Sequence, residues 1–369
     1  MTTAIENLNT ADAPVELYTA SQWVLMWWKF RKHKLAMASL WLVFALYFLA
    51  FTCEFIAPYA LESQHIELSY APPQRVLLVG QGGLHLPFVY PQRGMRHPET
   101  LKRIYTEDTS RRLTIRLFVR GDAYRFWGVI PTNVHLFGVE GGTIFLLGTD
   151  ALGRDLFSRI LYGARTVGLI GVLLSFVLGL IIGVVSGYYG GWIDNLIQRT
   201  IEIFRSFPAI PLWMALAAAL PATWSPLQTY FGITLVLSFI GWTGLARVVR
   251  GKILSLREED FAVAARLAGA SEWRIMTRHL LPSFTSHIIV SLTLAVPGMI
   301  LGETGLSFLG LGLRPPITSW GVLLKDAMNV QAVSATPWLL TPVAFVIITV
   351  MAFNFVGDGM RDAADPYSR

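Results

Sequence analysis

The chain has 369 residues, of which 53% are hydrophobic and 15% charged, against about 25% charged in soluble domains; an ordinary soluble globule is excluded and a membrane protein is expected. A net charge of +6 does not point to nucleic acid, because Lys and Arg gather beside hydrophobic stretches and in one long loop, where membrane topology explains them. The single cysteine, Cys53, excludes an intrachain disulfide and a thiolate metal site.

A helix needs about 20 apolar residues to cross the hydrocarbon core, where every backbone amide must find an internal partner. Six stretches qualify. Residues 1–34 form an N-terminal segment ending in Lys29, Arg31, Lys32 and Lys34, and the first span follows at 35–57, charge-free until Glu54. It reads as a signal anchor, being too long for a cleaved signal and lacking a clear small-residue cleavage site. Residues 58–165 then make an insertion long enough for structure of its own. In it Leu113, Ile115, Leu117 and Val119 alternate with Thr114, Arg116 and Phe118, and Arg120-Gly121-Asp122 offers a turn before a strand from Tyr124 to Ile130. A small β-hairpin is expected there, although an irregular cap fits the pattern equally well.

A five-helix core occupies 166–357. Its first span runs from about Thr166 to Gly187, and the uncharged stretch Ser206 to Ala246 holds two more, divided by a tight turn at Pro221 and Pro226. The last two run from about Thr285 to Leu306, with a kink expected at Pro297, and from Trp338 to Gly357, before a tail at 358–369. Basic residues are dense at the N-terminus and between the fourth and fifth spans (Arg250, Lys252, Arg257, Arg266, Arg274, Arg278), and absent from Pro221 to Thr229. The positive-inside rule places both termini and that segment in the cytoplasm and the insertion outside. The expected fold is therefore an all-α, six-helix integral membrane protein carrying an extracytoplasmic insertion with some β structure.

Within the cytoplasmic loop 257–284, Asp260 is suited to N-cap a helix on which Phe261, Ala264, Ala265 and Ala268 share one face. Gly269 ends it, Ser271 caps a second helix, and Trp273, Met276 and Leu280 line that helix's apolar face up to Pro282. A small-residue face followed by glycine lets another backbone approach closely. From spacing alone, an amphipathic hairpin lying on lipid headgroups fits slightly better than a protein-docking surface.

The run Asp260-Phe261-Ala262-Val263-Ala264-Ala265-Arg266-Leu267-Ala268-Gly269-Ala270, with Trp273-Arg274-Ile275 and Arg278-His279-Leu280-Leu281-Pro282, resembles the loop by which permease subunits of binding-protein-dependent ABC importers engage their ATPases. That family normally carries Glu before the two alanines, where this chain has Val263. The resemblance thus implies docking through Ala264, Ala265 and Gly269 without that charge. Two further stretches are similar to the dipeptide and oligopeptide branch. Gly148-Thr149-Asp150 with Gly153-Arg154-Asp155 resembles the extracytoplasmic entry to the second span; on its own residues, Asp155 with Arg159 is an i, i+4 pair on a short helix. Ser307-Phe308-Leu309-Gly310-Leu311-Gly312, then Pro316 and Trp320-Gly321, resembles the loop before the last span. Only about 62–147 looks longer than the branch usually carries.

Groups that would let the chain drive transport alone are missing. Gly251-Lys252 lacks the upstream glycine and following hydroxyl of a phosphate-binding loop, and seven histidines show no metal-binding spacing. Charges near membrane depth (Glu54, Glu202, Arg205, Arg247, Glu303) fall at span ends, where a structural role is expected; Glu202 and Arg205, with Pro208 and Pro211, stand where the inner mouth would be. A secondary transporter or channel would require an inverted repeat or a midplane charged cluster, and a membrane-anchored receptor would leave the loop resemblance unexplained. The resemblance implies a permease in the inner (plasma) membrane without catalytic residues, metal or cofactor of its own, ATP and Mg being held by partner subunits. The partners it implies are a second homologous permease, two cytoplasmic ATPase subunits or domains, an extracytoplasmic solute-binding protein and membrane lipid. Peptides or similar small solutes are the implied cargo.

Overall fold

The computed structural model describes residues 22–80, 83–96, 103–165, 169–221, 223–313, 317–328 and 334–364. Most of residues 1–34, the Thr166 boundary, Pro316 and the end of the tail lie outside them.

Helix α1 (Gln22–Lys32) leads into α2 (Lys34–Phe51), capped by His33, whose Nδ1 accepts the Ala36 N–H at 3.1 Å. Beyond Lys34 this helix has no charge. Ala36, Ser39, Val43 and Ala50 are buried while Trp41, Phe44 and Phe48 face outward. A short α3 (Cys53–Ile56) delivers the chain to the insertion.

The insertion folds into β1 (Leu77–Gly80), β2 (Gly83–Val89), β3 (Gln92–Arg96), β4 (Arg103–Glu107), β5 (Leu113–Phe126) and β6 (Ile130–Val139). One antiparallel sheet has the order β1-β2-β5-β6, and β3 pairs with β4 separately. A hairpin is present, but its turn is not at Arg120-Gly121-Asp122. Strand β5 continues through those residues with only a register irregularity, and the reversal comes at Trp127-Gly128. Gly121 serves close approach: a Cβ there would stand 2.8 Å from the His135 ring. Asp122 accepts hydrogen bonds from Ala60 N at 3.1 Å and from the Ser63 hydroxyl. Strand β5 is thus bound to the chain leaving the first span, and a turn there would break that contact.

After α4 (Leu156–Ala164) comes the centre of the helical core, α5 (Leu169–Tyr189). Next are α6 (Gly191–Ser206), α7 (Ala209–Ala218) and α8 (Pro226–Leu256), the last opened by a capping box between Ser225 and Gln228. Helices α5 and α8 pack at backbone distance. Gly179, Gly183 and Gly187 recur every fourth residue, and a Cβ on each would meet the carbonyl oxygen of Trp242, Ala246 and Arg250 at 2.8, 2.6 and 2.8 Å. Ser175 continues the stripe, donating to the Ser238 carbonyl at 3.3 Å. This is the small-residue spacing by which apolar helices associate in lipid, where no hydrophobic force separates protein from solvent.

Helix α9 (Asp260–Leu267) is followed by α turns Glu272–Arg274 and Leu281–Ser283 flanking a π segment, Ile275–Leu280. The remaining helices are α10 (Thr285–Phe308), uninterrupted at Pro297, α11 (Trp320–Asp326) and α12 (Thr341–Ala364).

Among the described residues, five helical stretches are long and apolar enough to cross a membrane: 34–51, 171–189, 226–256, 285–308 and 337–364. The stretch expected to hold the third span differs. Its helix α7 has ten residues and joins α6 at a bend of 86°. Pro208 opens α7, and the turn before Pro221 closes it, so the uncharged run is cut short of a full crossing.

Candidate functional site

Two clusters stand at opposite ends of α5 and α10. The first is a collar beside the N-terminal end of α5. Gly148 and Gly153 have φ of +76° and +72°, and a Cβ on Gly148 would stand 2.7 Å from the Ala71 carbonyl oxygen. Thr149 bonds into the Leu68–Ala71 segment: its Oγ1 accepts Ala71 N–H at 2.8 Å and its own N–H donates to Ala71 O at 2.9 Å. Asp150, fully buried, accepts from Leu152 N at 2.8 Å, Arg154 N at 3.0 Å, Arg154 Nε at 2.7 Å and Arg159 Nη1.

The expected Asp155–Arg159 pair does not form. Asp155 instead N-caps α4, accepting from Ser158 N at 2.8 Å and Ser158 Oγ at 2.6 Å, which turns its carboxylate away from Arg159. Arg159, itself buried, reaches back to Asp150 and across to Asp326 at 3.2 Å. Burial pushes the Asp155 carboxyl up to about 6 despite the Ser158 hydrogen bonds, and its Oδ1 has no hydrogen-bond partner among the described residues.

The 303–321 stretch completes this collar. Ser307 donates to Glu303 Oε1 at 2.6 Å and accepts the Leu313 N–H at 3.1 Å, folding the loop after Phe308 back onto α10. Gly310 turns with φ +80°, a Cβ on Gly312 would collide with Ser307, and one on Gly321 would stand 2.6 Å from the Thr304 carbonyl oxygen. Trp320 donates to the Ile160 carbonyl and Trp338 to the Thr149 carbonyl, each at 3.1 Å. Residues far apart in sequence, within 148–159, 303–313 and 317–326, therefore form one polar assembly with a buried centre. Sequence reasoning missed Asp326 as its member; the only local signal is an acid at the C-terminal end of a helix that Ser319 caps.

The second cluster is 260–283. Glu259, with extended backbone, occupies the N-cap, so Asp260 is the first helical residue, near the positive end of the helix dipole, rather than the cap. Gly269 (φ +76°) closes α9 in a Schellman arrangement, Gly269 N to Arg266 O at 3.0 Å and Ala270 N to Ala265 O at 3.1 Å. Ser271 caps the next turn. Phe261, Ala264 and Ala268 are exposed, whereas Ala265 and Ala270 are half-buried. Trp273 is 73% exposed instead of joining Met276 and Leu280. The π segment adds a residue to its turn and shifts the helical phase, so that Ile275, Met276 and Leu280 face inward. His279 is half-buried and Pro282 exposed.

Beneath, Ala262, Ile275, Met276 and Leu280 are buried in one cluster with Val184 and Tyr188 of α5, Val249 and Ile253 of α8, and Ile288 of α10. Arg257 donates to the Gly187 and Tyr188 carbonyls at 3.1 and 3.0 Å, satisfying the last turn of α5. Asp194 of α6 holds Arg250 of α8 by a bidentate pair, both contacts at 2.5 Å. The outer surface leaves large apolar side chains uncovered among exposed charges: Phe261, Leu267 and Trp273 are 41%, 85% and 73% exposed, and Arg266, Glu272, Arg274 and Arg278 are exposed on the same segment. Of the charges expected at span ends, Glu54 is buried and takes a bidentate contact from Arg165 at 2.5 and 2.8 Å, while Glu202 pairs with Arg199 at the surface.

A bundle of apolar helices joined by small-residue packing, locked at one end and presenting a helix-turn-helix surface with exposed apolar side chains at the other, is the architecture of a membrane-embedded component. Residues 145–369 match the family described as binding-protein-dependent transport system inner membrane component, more than half of the chain, and the chain belongs to that family. Residues 21–73 match the N-terminal TM domain of oligopeptide transport permease C. The β-rich part of the insertion, 77–139, falls between the two matches. The chain is 43% identical over 240 residues to the oligopeptide transport system permease protein OppC of Escherichia coli (strain K12), covering 63% of this chain and 74% of that protein. It is 37% identical over 227 residues to the dipeptide transport system permease protein DppC of Bacillus subtilis (strain 168), covering 60% and 68%. A solved structure of the MetNI methionine ABC transporter in an inward-facing conformation is similar at a TM-score of 0.44 and 18% identity, over 56% of this chain and 96% of that one.

Proposed function

We propose that this permease passes ATP-driven motion of a cytoplasmic partner into its helical core through the segment 260–283, importing peptides or similar small solutes. The observation that carries the proposal is the two-sidedness of that segment. Its outer face leaves Phe261, Leu267 and Trp273 in the open, while its inner face is packed against α5, α8 and α10 together. A partner moving this surface moves three helices as one body.

In this reading six spans are completed by the bent α6–α7 pair, both termini are cytoplasmic, and the β-rich insertion is extracytoplasmic. A second homologous permease completes the pathway, two ATPase subunits or domains hold ATP and Mg, and a solute-binding protein delivers the cargo. This chain performs no chemistry. The names of its relatives support the peptide assignment, and the basic residues around 250–278 support the orientation.

Gly269→Arg tests the docking role. Nothing lies within 4 Å of a Cβ at Gly269, so the exposed face gains bulk and charge, and the left-handed backbone is strained. The variant should reach the membrane normally yet lose co-purification with its ATPase from detergent. An intact complex would refute the docking role. Gly269→Asn, which tolerates positive φ, should retain it.

A further inference from the structure

We propose that the tip of the β5–β6 hairpin, Phe126 to Ile130, is a membrane anchor that enters the lipid interface beside the Phe51 end of α2 and holds the insertion down on the bilayer. The proposal rests on α2 being a span and is separate from ATPase docking.

The hairpin is positioned to reach the membrane. Midway along it His135 Nδ1 hydrogen-bonds with the carbonyl of Ala57, and at its tip Trp127 Nε1 donates to the carbonyl of Phe51 at 2.9 Å. It therefore runs back along the chain that has just left the first span. Its turn is level with the last residue of α2, the depth at which an apolar helix of 18 residues emerges from hydrocarbon.

The turn itself is unfavourable unless its side chain has a purpose. Val129 N–H donates to Phe126 O at 3.1 Å, and Trp127 and Gly128 have φ of +53° and +73°, a type I′ turn. Its first central position favours Asn, Asp or Gly, not a bulky aromatic. Among the described residues the non-glycine positions with positive φ are Tyr70, Phe118 and Trp127, and the last two lie on this hairpin. Both rest on the end of the first span: Trp127 on Phe51 with ring centroids 4.2 Å apart, and Phe118 on Phe55 at 6.2 Å. Left-handed backbone is thus adopted where it directs aromatic rings to the mouth of a span.

What the tip presents suits lipid. No Lys, Arg, Asp or Glu occurs from Phe126 to Phe137. Val129 and Ile130 are 77% and 59% exposed, and they follow Trp127, whose ring packs on Phe51 at the end of the exposed Phe44, Phe48 and Phe51 of α2. Trp127 keeps its N–H satisfied by protein and its ring half in the open, the amphipathic arrangement found at the membrane interface. Arg125, just behind, can extend to the headgroups. The occupant argued for is the bilayer, because the patch continues a surface that already faces it.

Cys53 is buried, so a cysteine introduced at Val129 can be labelled selectively with an environment-sensitive fluorophore. The assembled transporter would be reconstituted in phosphatidylethanolamine–phosphatidylglycerol bilayers containing nitroxide-labelled phosphatidylcholine. The label at Val129→Cys should be quenched at least about threefold more than one at Leu84→Cys, an equally exposed site on β2 far from the tip. Adding Ile130→Asp should reduce that quenching to the Leu84 level. Equal quenching at the two sites, quenching that persists with Ile130→Asp, or protection that appears only when the solute-binding protein is added would each overturn the anchor.

Discussion

The collar around Asp150 and the segment 260–283 stand about 30 Å apart along α5, and they are stabilised by different means. In the collar, charges are bound internally around a buried centre: buried Asp150 and Arg159 pair with each other and with the more exposed Arg154 and Asp326, and two tryptophans donate to backbone carbonyls. In the segment, apolar contacts hold the inner face, while Phe261, Leu267 and Trp273 of the outer face stand exposed. The contrast teaches where each end finds its stability. A densely paired polar network fixes one arrangement, because displacement strands the Asp150 and Arg159 charges in low dielectric. A hydrophobic underside tolerates rigid-body movement, as the proposed docking role requires.

The sharpest way to break the comparison is Arg159→Ala. Removing it takes one of two cations from buried Asp150, Arg154 remaining at 2.7 Å; breaking a buried pair costs about 3–5 kcal/mol when no other partner is left, so a loss of about 2–3 kcal/mol is expected. The detergent-purified variant should melt well below the parent, or fail to accumulate, with no selective effect on ATPase binding. A melting temperature within a degree or two of the parent would show the collar to be decoration. The matching change at the other end is Trp273→Ala. Its ring is 73% exposed, so the melt of the isolated chain should be unchanged, while association with the ATPase weakens by about 2 kcal/mol, roughly thirtyfold. A shifted melt with unaltered affinity would reverse the assignment of the two ends.

Much of this division was legible in the sequence, and the failures have physical causes. The spans are read from apolar runs because lipid enforces them, and the helix–glycine–helix pattern is read from Gly269 and Ser271 because caps are local. Trp273 does not share the face of Met276 and Leu280 because an i→i+5 turn, which nothing in composition marks, shifts the phase of those two residues relative to the turn before them. The shortness of α7 is hidden in an uncharged stretch whose prolines act on length rather than hydrophobicity, and α6, to which it is bent, carries Asp194, Arg199, Glu202 and Arg205. The hairpin turn was assigned to Gly121-Asp122 because those residue types favour turns, whereas tertiary contacts with His135 and Ala60 use them otherwise. Likewise the i, i+4 spacing of Asp155 and Arg159 is real, but local capping takes the acid, and an acid nine positions away takes the arginine.

That last substitution of partners yields the finest test of how the collar differs from the exposed end. Asp155 is buried with one oxygen unpartnered, and its carboxyl is pushed from the ordinary 3.8 to about 6. A raised folded-state value means that the native collar binds this proton more tightly than the unfolded chain does. Its contribution to stability is therefore complete below about pH 4 and is lost as the pH rises through about 6. Asp155→Asn keeps an oxygen for the Ser158 cap and removes the titration. Melting temperatures taken between pH 5 and 8 should fall with rising pH in the parent and fall less steeply in the variant, the two differing most above pH 6 in favour of Asn. Parallel curves would mean that solvent reaches Asp155 and that the collar is not sealed; a steeper curve for Asn would mean that the charged form, not the protonated one, holds the cap.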